Sequence, residues 1–320
     1  MRILYIHQYF KTRAGSGSTR SFEFARRWVK AGHSVVLITG VTDRSDLGSD
    51  RGIERRVSRH DVEGIEVLAI DSRYSNYMSF LRRIAAFFRF MVSATWVGLR
   101  HVGSVDVILA SSTPLTVGIP GYLLSLWKRA PFILEIRDLW PEAPIQLGVL
   151  RNPAAIALAR SLERFLYRAA RHIVVLSPGM QDALRRMGIP EAKLSMIPNC
   201  CDLDLFAPHE PAPALLHQYG LHGRFVALYA GAMGMANGLD VAVEAARVLQ
   251  QRESAVQLVL VGDGKERPAL QKRAAESHLQ NVTFIPWVPK SELVDLMAMA
   301  DVCLVLFAPH PVLQTGSPNK

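Results

Sequence analysis

At 320 residues, 49% apolar, 20% charged and 8% aromatic, the chain is ordinary globular α/β material, which excludes a disordered, fibrous or collagen-like protein. A prior of about 150 residues per domain gives two domains, each able to bury its own core. The formal charge of +9 belongs to one half: residues 1–200 hold 28 Lys and Arg against 16 Asp and Glu, a net of +12, whereas residues 201–320 hold 9 against 12, a net of −3.

A basic half suits nucleic acid, an anionic membrane or a phosphorylated substrate. The three cysteines, Cys200, Cys201 and Cys303, form neither a disulfide framework nor a metal-ligand spacing, which favours a reducing compartment and predicts no metal. Met1 runs straight into Arg2-Ile-Leu-Tyr-Ile6 with no charged leader or cleavage site, so no signal peptide is expected.

In chain order, the first half alternates strands and helices as a parallel sheet covered on both faces does. Apolar runs at 3–6, 34–38, 105–109, 132–136 and 172–176 are the expected strands, and 22–30, 153–169 and 179–187 the expected helices. After the first strand, Gly15-Ser-Gly17-Ser-Thr-Arg20 leads into a helix that Ser18 or Thr19 can cap. A dinucleotide fingerprint would need glycine at Arg20 and a carboxylate near Thr39; both are missing, so the loop of Gly15, Gly17 and Arg20 is expected to reach a ligand crevice without binding a nicotinamide. Residues 42–63, rich in Asp and Arg, are expected to form a mobile loop. His7, His172 and His310 stand isolated in the chain and read as structural rather than catalytic.

Residues 79–100 mix aromatic and apolar side chains with Arg82, Arg83 and Arg89. The arginines argue against a membrane-spanning helix. Two readings stay open, a core-packed helix with a solvated arginine edge and a helix lying on anionic lipid. Glu135-Ile-Arg137-Asp138-Leu-Trp-Pro-Glu142 gathers charge at a strand end. Such charges line a cleft or form a structural ion-pair knot, and the carboxyl ends of parallel strands are where cleft residues sit.

A Pro- and His-containing connector at 208–223 marks a domain boundary after residue 200, giving domains 1–200 and 201–320. The second half restarts the alternation: strands at 226–230, 256–261, 282–285 and 302–306, helices at 238–251, 266–277 and 290–299. Its first two strands deliver the chain into Gly231-Ala-Met-Gly234-Met-Ala-Asn237-Gly238 and Gly262-Asp-Gly264-Lys265. Glycines between a strand and a helix start suit an anion, because bare N–H groups and the helix dipole face one point. Tight turns between packed elements are the structural alternative.

Taken in order, the glycine loop, Arg137-Asp138-Leu-Trp-Pro-Glu142, Ile197-Pro-Asn199 with Asp202-Leu-Asp-Leu-Phe206, Tyr229-Ala-Gly231 with Gly238-Leu-Asp240, Val261-Gly-Asp-Gly264 and Ala300-Asp301-Val resemble the family 4 retaining glycosyltransferases, in the branch that builds bacterial surface polysaccharides, O-antigen and capsule aminosugar transferases included. The resemblance implies the α/β GT-B fold, two Rossmann-like domains facing a central cleft: an acceptor-binding domain at 1–200 and a nucleotide-sugar-binding domain at 201–320. It implies transfer from a UDP-sugar to a lipid-linked saccharide at the inner, cytoplasmic face of an anionic membrane, with no cofactor, metal or nucleic acid. The leaving phosphate itself would deprotonate the incoming hydroxyl. Asp138 would orient the acceptor and Arg137 hold its phosphates, while Gly231, Gly234, Asn237, Gly238, Gly262, Gly264, Lys265, Thr315, Gly316, Ser317 and Lys320 would line the donor.

Two departures stand out. Ala232 and Asn237 occupy positions where the family carries Arg and Lys, and the family's paired-glutamate motif would begin near Thr315 and finish beyond Lys320. The expectation is therefore of a second domain left incomplete by C-terminal truncation. A GT-B nucleotide-sugar epimerase, or an inactive nucleotide- or membrane-binding fragment, are the alternatives.

Overall fold

The computed structural model describes residues 1–15, 17–42, 47, 51–54, 56–74 and 78–318. They divide into two compact units, one built from Met1–Thr12, Ser18–Asn199 and Gln314–Ser317, the other centred on Cys200–Leu313 and including Arg13–Gly17.

The first unit runs β1 (Arg2–Ile6), α1 (Arg20–Lys30), β2 (Ser34–Thr42), β3 (Arg51–Glu54), β4 (Val57–Val62), β5 (Ile65–Tyr74), α2 (Phe80–His101), β6 (Val107–Ser112), α3 (Gly118–Lys128), β7 (Phe132–Ile136), α4 (Glu142–Gln146), α5 (Pro153–Ala169), β8 (His172–Val175), α6 (Pro178–Arg186) and β9 (Leu194–Met196). Its sheet is ordered β3-β4-β5-β2-β1-β6-β7-β8-β9. From β5 to β9 every neighbouring pair is parallel. Successive side chains of β1 are buried from Ile3 to Ile6, because a parallel strand meets helices on both faces. Phe22 and Ala25 of α1 pack on one face with Ile3, Tyr5, Val35 and Leu37.

Residues 42–63 depart from the mobile loop expected of them. β4 pairs antiparallel with β5, and β3 with β4, while residues 43–46, 48–50 and 55 lie outside the described residues. Glu63 and Gly64, both at positive φ (53° and 80°), form the tight turn whose twist suits a two-residue hairpin, and Asp61 Oδ1 accepts from the Gly64 N–H at 3.1 Å. Val57 and His60 alone of β4 are buried. A strand with so little apolar content is held by ladder bonds to its neighbour, which composition does not register.

Helices α2, α3 and α5 lie side by side. A Cβ at Gly98 of α2 would meet Leu124 of α3 at 2.3 Å, and one at Gly118 of α3 would meet Leu166 of α5 at 2.6 Å. These glycines let neighbouring helices approach closely.

The second unit runs α7 (Pro213–Gln218), β10 (Phe225–Ala230), α8 (Asp240–Gln251), β11 (Val256–Val261), α9 (Arg267–Glu276), β12 (Val282–Ile285), α10 (Lys290–Ala298) and β13 (Val302–Cys303). The expected strand at 302–306 is thus shorter, and α7 lies inside the expected connector. The sheet is parallel, ordered β12-β11-β10-β13. Alternate residues of β10 and β11 feed two cores. Tyr229, Leu258 and Leu260 pack with Ala242, Val243 and Ala246 of α8 and Leu270 of α9, while Val226, Leu228 and Val259 pack with Leu221 and with Leu296 of α10. Helices on both faces make this a doubly wound sheet.

Candidate active site

In the first unit, polar side chains gather where β1, β6 and β7 end. Glu135, on β7, is almost wholly buried. It accepts hydrogen bonds from Tyr5 Oη at 3.2 Å, from Ser111 Oγ and from Arg20 Nε at 2.8 Å. The two terminal nitrogens of Arg20 donate to the carbonyls of Pro198 and Ile197, each at 2.7 Å. Arg20 is therefore no cleft-loop residue: it is buried and ties the start of α1 to β7 and to the segment after β9. The same burial, with the charge of Glu135 second, raises the Tyr5 phenol well above its ordinary value.

Arg137 and Asp138, just past the end of β7, behave differently. Arg137 is half-buried and Asp138 exposed. One terminal nitrogen of Arg137 donates to Ser18 Oγ at 2.6 Å and the other to His7 Nε2 at 3.2 Å. A guanidinium only donates, so Nε2 must accept, and the ring proton sits on Nδ1, which faces Ser21 Oγ at 2.8 Å. Burial, reinforced by Arg137, holds the His7 pKa well below its ordinary value, so the ring is neutral. Asp138 Oδ2 accepts from Thr113 Oγ1 at 2.8 Å. The charged group at this strand end thus divides, Glu135 into a structural knot with Arg20, and Arg137 and Asp138 toward solvent. A planar guanidinium with two donors fixed and the rest of its fork unspent is pre-organised for phosphate or carboxylate oxygens.

The motifs of the sequence give His7 and Ser21 no place in a site and Ser18 only that of a helix cap, yet His7 and Ser18 hold Arg137 and Ser21 faces the other nitrogen of the His7 ring. Thr19 occupies the N-cap of α1 and its side chain makes no capping bond. The one signal for His7 is its position, directly after β1 at the carboxyl end of a parallel strand. Of the loop glycines, Gly15 is buried; Gly17 is exposed, at φ 102°, and a Cβ there would meet nothing within 4 Å.

In the second unit, the loops after β10 and β11 lie on each other. A Cβ at Gly262 would stand 1.9 Å from the Gly231 carbonyl oxygen, and one at Gly264 would stand 2.2 Å from that of Met233. Gly231 N–H donates to Val261 O, Met233 N–H to Asp263 O, Gly262 N–H to Ile285 O and Gly264 N–H to Asp263 Oδ1. Amides expected to cradle phosphate at Gly231, Gly262 and Gly264 are therefore spent within the protein, and Gly262 and Gly264 serve close backbone packing. Gly234 differs, since a Cβ there would meet nothing within 4 Å, and Lys265 is exposed. Asn237 is buried, and Gly238 is left-handed at φ 58°, where a Cβ would stand 3.0 Å from Ala308 Cα.

Thr315, Gly316 and Ser317, expected beside these loops, belong to the first unit. Ser177 Oγ donates to the Thr315 carbonyl, and Asn199 Nδ2 to that of Ser317 at 2.7 Å. Lys320 lies outside the described residues. Among the described residues no group of three His, Cys, Asp or Glu is placed to hold a metal.

The fold is that of the GT-B glycosyltransferases. Sucrose-phosphate synthase from Thermosynechococcus elongatus superposes with a TM-score of 0.69 at 18% identity, over 95% of this chain and 75% of that one. HepE from Anabaena, solved in complex with UDP and glucose, does so with a TM-score of 0.62 at 19% identity, over 97% and 76%. In sequence, residues 15–200 match the glycosyl transferase 4-like domain and residues 216–308 the glycosyl transferases group 1 domain. The chain belongs to the glycosyl transferase 4-like family.

Among curated relatives, the probable glycosyltransferase WbjE of Pseudomonas aeruginosa is 26% identical over 218 residues, 67% of this chain and 54% of that protein. The putative colanic acid biosynthesis glycosyl transferase WcaI of Escherichia coli K12 is 26% identical over 230 residues, 70% and 54%. The chain thus spans about half the length of the curated relatives it matches.

Proposed function

We propose that this chain belongs to an enzyme moving a sugar, with retention, from a UDP-sugar to a lipid-linked saccharide at the cytoplasmic face of a membrane. The observation that carries the reading is Arg137, held by His7 and Ser18 at the strand-end edge of a sheet whose family transfers sugars. Breaking a sugar–phosphate bond leaves charge on a diphosphate oxygen, which fixed donors stabilise without a protein nucleophile. The leaving phosphate takes the proton of the incoming hydroxyl on the same face. Asp138 orients that hydroxyl, Arg137 holds acceptor phosphate, and the loop at Gly234 to Gly238 with Lys265 holds the donor. No step needs a resident metal or cofactor. HepE, solved with UDP, supports the choice of base.

The acceptor's lipid is supported by α2, α3 and α5. Phe88, Val92, Trp96 and Leu99 of α2, Leu123, Leu126 and Trp127 of α3, and Leu158 and Phe165 of α5 are all exposed, and large apolar side chains gathered on neighbouring helices mark an interaction surface. Arg82, Arg89, Arg100 and Arg164 are exposed among them. No described helix is long and apolar enough to cross a membrane, so this surface suits a helix layer lying on lipid.

The test is transfer itself. The chain, alone and joined to the C-terminal part of a curated relative, is incubated with labelled UDP-hexoses and membrane lipid extract, and the product is read by mass and by anomeric configuration. Labelled saccharide on lipid with the donor's configuration supports the reading. An isomerised free donor means an epimerase, inversion removes the retaining mechanism, and no product from the joined chain overturns the assignment.

A further inference from the structure

Between α3 and α5 the surface opens into a cavity of about 520 Å³ lined by Tyr122, Ser161, Arg164, Phe165, Arg168 and Ala169. Its construction is local. Ser161, Arg164, Phe165 and Arg168 follow at helical spacing on α5, so their side chains emerge on one side of it. Tyr122 of α3 meets Phe165 edge to face, ring centres 5.0 Å apart and planes at 84°. Arg164 and Arg168 are exposed, Arg164 within the field of the buried Glu163 carboxyl. No lining residue is acidic. Two exposed guanidiniums with two hydroxyls over an aromatic wall match a phosphodiester attached to something apolar.

What is attached follows from the two helices that form the cavity. Trp127 is 73% exposed, Leu126 60% and Leu158 71% on α3 and α5. Exposed apolar side chains on the helices of a cationic pocket suit a headgroup whose acyl chains stay in the bilayer. We infer that the α3–α5 cavity is a headgroup site for an anionic glycerophospholipid, taking its phosphodiester between Arg164 and Arg168. The inference rests on the membrane reading above and concerns a different part of that helix layer from the arginines of α2. It turns general attraction to lipid into recognition of one headgroup class and fixes which way the first unit faces the bilayer.

Water-soluble dihexanoyl lipids, below the concentration at which they form micelles, test the pocket without a membrane. Calorimetry should show dihexanoyl phosphatidylglycerol binding saturably and dihexanoyl phosphatidylcholine at least about tenfold more weakly. The Arg164→Gln/Arg168→Gln double variant should lose about thirtyfold in affinity for the former, at about one factor of five per arginine, with an unchanged melting temperature because both side chains are exposed. Equal binding of the two lipids, or an unaffected double variant, overturns the inference. So does inorganic phosphate binding as tightly as the lipid, since the pocket would then serve a free anion. The membrane reading fails separately, if the chain ignores anionic vesicles whether or not soluble lipid enters the cavity.

Discussion

Arg20 Nε donates to Glu135 Oε1 at 2.8 Å with their side chains 5% and 2% exposed, and this one ion pair joins the beginning of α1 to β7. Each partner's other polar groups are met by Tyr5, Ser111 and the carbonyls at 197 and 198. Removing either partner strands a buried charge, at a cost of about 3–5 kcal/mol. Glu135→Ala and Arg20→Ala should each lower the urea midpoint sharply, and the double variant should cost less than the sum. Additive effects would show that the two groups are not coupled.

His7 links folding to pH. Its folded pKa is depressed and its unfolded value is 6.5, so below pH 6.5 only the unfolded chain takes the proton. Its contribution is present above pH 6.5 and is lost as pH falls, by at most about 1.4 kcal/mol per pH unit. The variant His7→Gln should show a shallower loss of unfolding free energy between pH 6.5 and about 5. Because Arg137 loses one of its two fixed partners, sugar transfer by the variant should fall at every pH.

Glu163 acts in the opposite sense. Burial pushes its carboxyl up to about 7 from 4.5, so the folded chain holds the extra proton, and this group's contribution declines as pH rises from 4.5 to 7. Glu163→Gln should therefore be more stable than the parent at about pH 8, with the difference vanishing toward pH 4.5. Denaturant midpoints measured at about pH 5 and about pH 8 decide it.

The glycines of the second unit separate packing from binding. Gly262→Ala must push a methyl into the Gly231 carbonyl and should cost several kcal/mol, on the scale of an overpacked core. Gly234→Leu meets open space and should leave the melting temperature within about 2 °C while weakening UDP binding by calorimetry. Unchanged UDP affinity would move the donor away from this loop.

Arg82 and Arg89 are exposed, whereas Arg83 is partly buried with its Nε enclosed. Replacing Arg82 and Arg89 together by glutamine should weaken sedimentation with anionic vesicles by about thirtyfold, at about 1 kcal/mol for each. Adding Arg83→Gln should bring little further loss. Binding indifferent to salt and to these changes would remove α2 from the membrane contact.

The strand and helix alternation of both units is legible from residue order because burial on both faces of a parallel strand leaves an unbroken apolar run, as in 3–6 and 226–230. The helix at 153–169 is equally legible, with Asn152 capping it by accepting from the Ala155 N–H. Ordered motifs are enough for the family. Local pattern cannot reveal β4, whose stability lies in pairing with β5, a relation between segments. Nor can it divide the charges at the end of β7. Glu135 and Arg137 stand two residues apart, which alternation alone would place on the same side, so what each of them meets depends on Arg20 and His7, brought from 115 and 130 residues away. The glycines at 262 and 264 follow the same rule: their sequence matches a phosphate loop, and only the carbonyls that would lie 1.9 and 2.2 Å from a Cβ show that they are needed for packing.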